Sequence, residues 1–163
     1  MKEIKRNSWA KFCKSFNSSN QYRQLDISIV ERENHSRILA ENLPFLGISL
    51  EKTGRAISGL QIFTGLWDPE KILAPILTIK EPASVFLQKD TDNSDKILVI
   101  ESKDGSRAEL VLFGPPNPDQ SRLLVEKLAY ALAEKRGFSG GNDMSDWLEA
   151  ERLVHQAEMR LKE

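Results

Sequence analysis

The chain has 163 residues, room for one ordinary domain or for a smaller domain with an appendage. Its 23 basic and 24 acidic residues nearly cancel, which argues against a dedicated nucleic-acid binder; 40% apolar and 29% charged residues argue against wholesale disorder. A single cysteine excludes an intramolecular disulfide framework and any all-cysteine zinc site, and the two histidines, His35 and His155, leave little for metal or triad chemistry.

The N-terminal stretch is basic but holds no apolar run of the kind a secretory signal needs. The apolar run from Ile72 to Ile79 is broken by Pro75 and falls far short of the ~20 residues of a spanning helix. A soluble cytoplasmic protein without a membrane partner is the expectation.

A helix opens the pattern. Asn7 or Ser8 can cap it, and Trp9, Phe12, Cys13 and Phe16 fall on one face at i, i+3, i+4 and i+7. The polar run Asn17 to Asn20 competes for backbone hydrogen bonds and ends it. Strand patterns then follow at Tyr22 to Glu31, Arg37 to Leu43, Ile48 to Lys52, Ile57 to Phe63, Ile72 to Ile79, Val85 to Gln88, Ile97 to Glu101 and Arg107 to Phe113. Asp104-Gly105 marks a hairpin turn between the last two. No helix-length pattern separates the strands, so antiparallel pairing is expected rather than a doubly wound parallel sheet.

Gly114 to Pro118 carries three prolines and reads as a stiff linker. Beyond it, Asp119 can cap a helix through Leu123, Leu124, Leu128 and Leu132, and Gly137 suits the left-handed residue that closes it. Asp143 and Asp146 can open a second helix carrying Trp147, Ala150, Val154, Ala157 and Leu161. The expected fold is α+β. An N-terminal helix packs on an antiparallel sheet of six to eight strands that curls around it, and a C-terminal antiparallel helical hairpin follows. The expected divisions are a domain at 1–113, a linker at 114–118 and the hairpin at 119–163.

The stretch from Ala129 to Gly137, then Gly141, then Asp146-Trp147-Leu148-Glu149-Ala150-Glu151, resembles a family of short bacterial helical-hairpin domains of unknown function, over residues ~122–155. Where that family often has a bulkier aromatic after the tyrosine, this chain has Ala131 and Ala133. Trp9 and Phe12, Leu43 to Ile48, Pro82, and Ile100 to Gly105 resemble a second uncharacterised bacterial family of α+β domains, over residues ~8–113. Both resemblances imply a bacterial origin and neither brings an activity, substrate or catalytic residue.

Residue by residue, the chemistry is sparse. Cys13 lies among aromatics and reads as core. His35 sits in a polar turn and His155 on a helix surface. Asp90 to Asp95 has oxygens at alternate positions with Glu101 twelfth from Asp90, but Asp95 stands where a calcium loop needs Gly, so the run reads as a polar hairpin tip. Glu81, Glu101 and Glu109 are carboxylates without a visible partner for acid–base work. Trp67 on a turn, and Tyr130 with Trp147 in the hairpin, are the candidate binding aromatics. No catalytic residue, metal or cofactor is expected. The reading is a non-enzymatic interaction or adaptor module, with a protein partner or self-association through the hairpin. The alternatives are a receptor or enzyme with a pocket in the sheet, and nucleic-acid binding through the basic N-terminal helix or the hairpin.

Overall fold

A computed structural model describes residues 1–31, 35–138 and 143–162. In chain order the elements are β1 (Lys2–Ile4), α1 (Trp9–Asn20), β2 (Gln24–Val30), β3 (Ser36–Thr53), β4 (Ala56–Thr64), β5 (Leu77–Lys80), β6 (Pro82–Lys89), β7 (Asp95–Ser102), β8 (Arg107–Phe113), α2 (Asp119–Lys135) and α3 (Asp143–Arg160). The strands form one antiparallel sheet in the order β1-β6-β7-β8-β2-β3-β4-β5. β5 lies at one edge and β6 beside the other, yet only Glu81 separates them in the chain. The sheet must therefore roll. Glu81 makes the corner at φ 48°, donating its N–H to the Ser58 carbonyl and accepting from Lys103 N–H.

Alternation along the strands explains the inner core. Leu25 and Ile27, Leu60 and Ile62, Leu98 and Ile100, and Leu110 and Leu112 point inward at period two and meet Trp9, Cys13 and Phe16 of α1. The helix thus fills the roll. Burial pushes the Cys13 thiol up to about 12, leaving it protonated and inert as a nucleophile.

Three sequence-based strand assignments change. Arg37 to Leu43 and Ile48 to Lys52 are halves of one strand: the first half of β3 pairs with β2 and the second with β4. Asn42 at φ 53° bends it while Asp26 accepts its N–H, so the polar Asn-Leu-Pro step is a bend and not a loop. Ile72 to Ile76 is not strand; Ile72 lies in a turn, its N–H on the Asp68 carbonyl, and the strand begins at Leu77. β1 was not expected. It is three residues long and runs antiparallel to β6.

The hairpin packs on the outer face of the sheet. Phe45 and Ile62 enter the inner core while their neighbours Leu46 and Phe63 turn outward. There Leu46, Phe63, Tyr22 and Ile72 join Leu124, Val125 and Leu128 of α2 and Ala150, Leu153, Val154 and Ala157 of α3 in a second core. Polar ties reinforce it. Tyr22 and Ser121 both donate hydroxyls to Glu158 at 2.6 Å, linking body, α2 and α3. The linker is held too, with Asn117 N–H on the Tyr22 carbonyl and Arg23 Nε on the Gly114 carbonyl.

The helix ends follow local chemistry. Asp119 does not cap α2 but begins it, behind Pro118 at the N-cap position, and Asn117 Oδ1 accepts its N–H at 3.1 Å in a turn just before the helix. Gly137 at φ 69° donates to Glu134 O and Phe138 N–H reaches Ala133 O, the paired bonds of a Schellman ending. Arg136 then bonds the buried Asp146 carboxylate, tying the end of α2 to the start of α3. Residues 139–142, between the two helices and including the Gly141 of the family resemblance, lie outside the described residues.

Candidate functional site

Two surfaces carry unexplained features: the solvent face of the hairpin and a cleft beside the linker.

On α2, Leu123, Glu126, Tyr130 and Glu134 share one exposed face at helical spacing. On α3, Met144, Leu148, Glu151, His155 and Met159 do the same. This leaves large apolar side chains in water: Tyr130 is 61% exposed, Leu148 58% and Met144 70%. Tyr130 meets Phe138 with ring centroids 5.5 Å apart. Trp67, 51% exposed, lies under the Lys127 ammonium of α2 at 3.3 Å from its ring centroid. The cations of this face have partners. Arg122 reaches Glu126 at 3.5 Å, Arg152 binds Glu149 at 2.6 Å and Lys127 sits on Trp67. Glu134 and Glu151 form no ion pair with a described residue.

The expected aromatics are thus distributed unequally. Trp67 and Tyr130 are exposed; Trp147 packs, half-buried, against the hairpin core. Tyr130 takes Phe138 as its ring neighbour. Phe138 and Lys127 were missed by sequence reasoning. Phe138 follows the glycine of a helix ending, where an apolar residue has a recognised packing role, so a signal was present.

The cleft has a volume of about 880 Å³, within the range of small-ligand sites, and lies between the end of α1, the β6–β7 turn and the linker. Arg23 lines it and is only 7% exposed. Its Nε donates to Gly114 O at 2.7 Å; its Nη1 donates to Asp95 O at 2.6 Å and Asn20 Oδ1 at 3.0 Å. Asn20 in turn donates to the Asp95 carboxylate at 2.7 Å. Arg23 was not singled out from sequence, because nothing local distinguishes it from a surface arginine.

The remaining candidates do not converge. Asp92 holds the N–H and hydroxyl of Ser94, and these bonds keep its carboxyl below the usual range. Asp90 binds Thr91 N–H, so these carboxylates shape a turn with Asn93 at φ 70°. Among the described residues no group of three or more His, Cys, Asp or Glu could hold a metal ion. Glu109 pairs with Arg107 at 3.0 Å, while Glu81 forms the sheet corner. His35 and His155 are exposed. Among the described residues no helix is long and apolar enough to cross a membrane.

The architecture defines an α+β protein with a rolled antiparallel sheet, a helix inside it and a helical hairpin outside. A family model described as a family of unknown function (DUF5335) matches residues 1–121, and a second, described as a protein of unknown function (DUF2934), matches residues 124–156. The first covers well over half the chain, and the protein belongs to that DUF5335 family. No curated protein and no solved structure matches the chain.

Proposed function

We propose that this protein is a non-enzymatic interaction module whose docking surface is the solvent face of the hairpin. The observation that supports this most is the pair of exposed apolar stripes on α2 and α3, which remain after the opposite faces are consumed by the body. Exposed apolar stripes with aromatic content are the anchors from which interfaces are built. The occupant we assign is a basic amphipathic helix of a bacterial partner. Tyr130, Leu148 and Met144 offer its apolar side a seat, and Glu134 and Glu151 offer carboxylates to its lysines or arginines. A cytoplasmic setting belongs to this reading and is supported by Cys13 as a buried free thiol.

The test is capture from a bacterial lysate by immobilised full-length chain, followed by affinity measurement with the captured partner's helix as a synthetic peptide. Replacing both Tyr130→Asp and Leu148→Asp should leave the fold intact, since both side chains face water, and weaken binding at least ~10-fold. Binding should also weaken as salt is raised. A double variant that binds as well as the parent, or a partner segment that is acidic, would refute the assignment.

A further inference from the structure

We infer that the cleft beside the linker is a binding site for a small monoanionic carboxylate with a flat apolar body, recognised by Arg23. This rests on different residues from the hairpin face and stands independently of it.

Arg23 is a buried guanidinium whose hydrogen-bond acceptors are all neutral: two main-chain carbonyls and one side-chain amide. No carboxylate of the described residues comes within ion-pair distance of it. Burying a charge is costly; neutral acceptors hold this guanidinium directly, and Asp92 attracts it without forming an ion pair. The three bonds use Nε and Nη1 and fix the plane of the group. Nη2, with its two N–H donors, has no acceptor among the described residues. A guanidinium fixed through Nε and Nη1, with Nη2 left open to the cleft, is preorganised for an anion.

The walls set the rest of the ligand. Phe113, Pro115 and Pro116 provide an apolar surface, and Ser19, Asn20 and Ser94 provide polar groups around it. Lys89, Lys96 and Arg23 bring three positive charges, and Asp90, Asp92 and Asp95 three negative ones, so the lining is neutral as a whole. Lys89 itself lies 3.9 Å from the Asp95 carboxylate. In a lining without surplus positive charge, the open Nη2 donors of Arg23 select a small carboxylate by hydrogen bonding and not by net charge. The carboxylates at its rim repel a dianion such as inorganic phosphate near neutral pH.

The experiment is a titration of the full chain with benzoate and, separately, inorganic phosphate, followed by NMR at the Arg23 Nε–H and the Asn20 side-chain amide. Benzoate should move both resonances along a saturating curve at millimolar concentration, and phosphate should bind at least ~10-fold more weakly. Arg23→Gln should abolish the shifts at Asn20. Because that change also breaks structural bonds, Phe113→Ser serves as a second variant; it alters one exposed wall and should weaken benzoate several-fold with an unchanged spectrum elsewhere. Resonances that stay fixed under benzoate, phosphate binding as tightly as benzoate, or a Phe113→Ser chain that binds unchanged would each overturn the proposal.

Discussion

A chain ended at Phe113 is expected to lose its cooperative fold. Removing the linker and hairpin uncovers Tyr22, Leu46, Phe63 and Ile72 together and strips the Gly114 carbonyl from Arg23. Each large apolar side chain returned to water costs about 1.5–3 kcal/mol. Four of them approach the whole stability of a typical domain, about 5–15 kcal/mol. The truncated chain should bind a hydrophobic dye, aggregate, and show no sharp urea transition. A truncated monomer with the parent's circular dichroism and melting midpoint would show that the second core contributes little.

The second large effect is expected at Asn17. The second half of β3 pairs with β4 on one side, but β2 leaves its other side beyond Pro44. Side chains of α1 and the residues after it complete that edge. Asn17 accepts Ile48 N–H at 2.7 Å and donates to the Ile48 carbonyl at 2.9 Å, while Gln21 donates to the Leu46 carbonyl at 3.2 Å. The Asn17 amide also donates to the Leu161 carbonyl at 3.2 Å, beside the end of α3. Gly47 permits this approach. A Cβ there would lie 2.9 Å from Leu161 Cδ1 and 3.0 Å from Asn17 Cγ. Asn17→Leu keeps the size but leaves buried main-chain groups without partners, at about 1–3 kcal/mol each. A loss of about 2–5 kcal/mol in urea unfolding is expected. A midpoint unchanged from the parent would mean that water or a shifted backbone replaces those bonds.

Much of the fold was legible because it depends on local pattern. The α1 stripe, the Asp-Gly hairpin and the Gly137 helix ending each follow from a few adjacent residues. Asn17 and Asn20 were misread because their polar side chains look like a helix stop; both lie within α1, and their bonds reach residues far along the chain. Asn42 and Pro44 likewise look like a break and form a bend inside one long strand. The docking of the hairpin had a signal that alternation alone obscures. Phe45-Leu46 and Ile62-Phe63 are adjacent apolar pairs, which in a strand require burial on both faces. Ile72 reads as strand because it is apolar, although it is apolar to meet the hairpin.

The candidate sites were less legible for the same reason. Tyr130 and Trp67 were visible as aromatics, but which face of the hairpin remained free depends on where the other face docks. Trp147 shows this, since its helical position is as compatible with the surface as with the half-buried place it occupies. Arg23 acquires its character from Gly114, Asp95 and Asn20, two of them distant in sequence, and from a burial that no local pattern encodes.

The assignment of the hairpin's outer face depends on its inner face being committed to the body. Native-state amide hydrogen exchange tests this most directly. If body and hairpin open as one unit, the amides of Leu153, Val154 and Ala157 in α3 will exchange with the same opening free energy as those of Ile27 and Leu98 in the sheet. If the α3 amides exchange orders of magnitude faster while the sheet stays protected, the hairpin detaches, its inner face is available to partners, and the outer-face docking surface is contradicted.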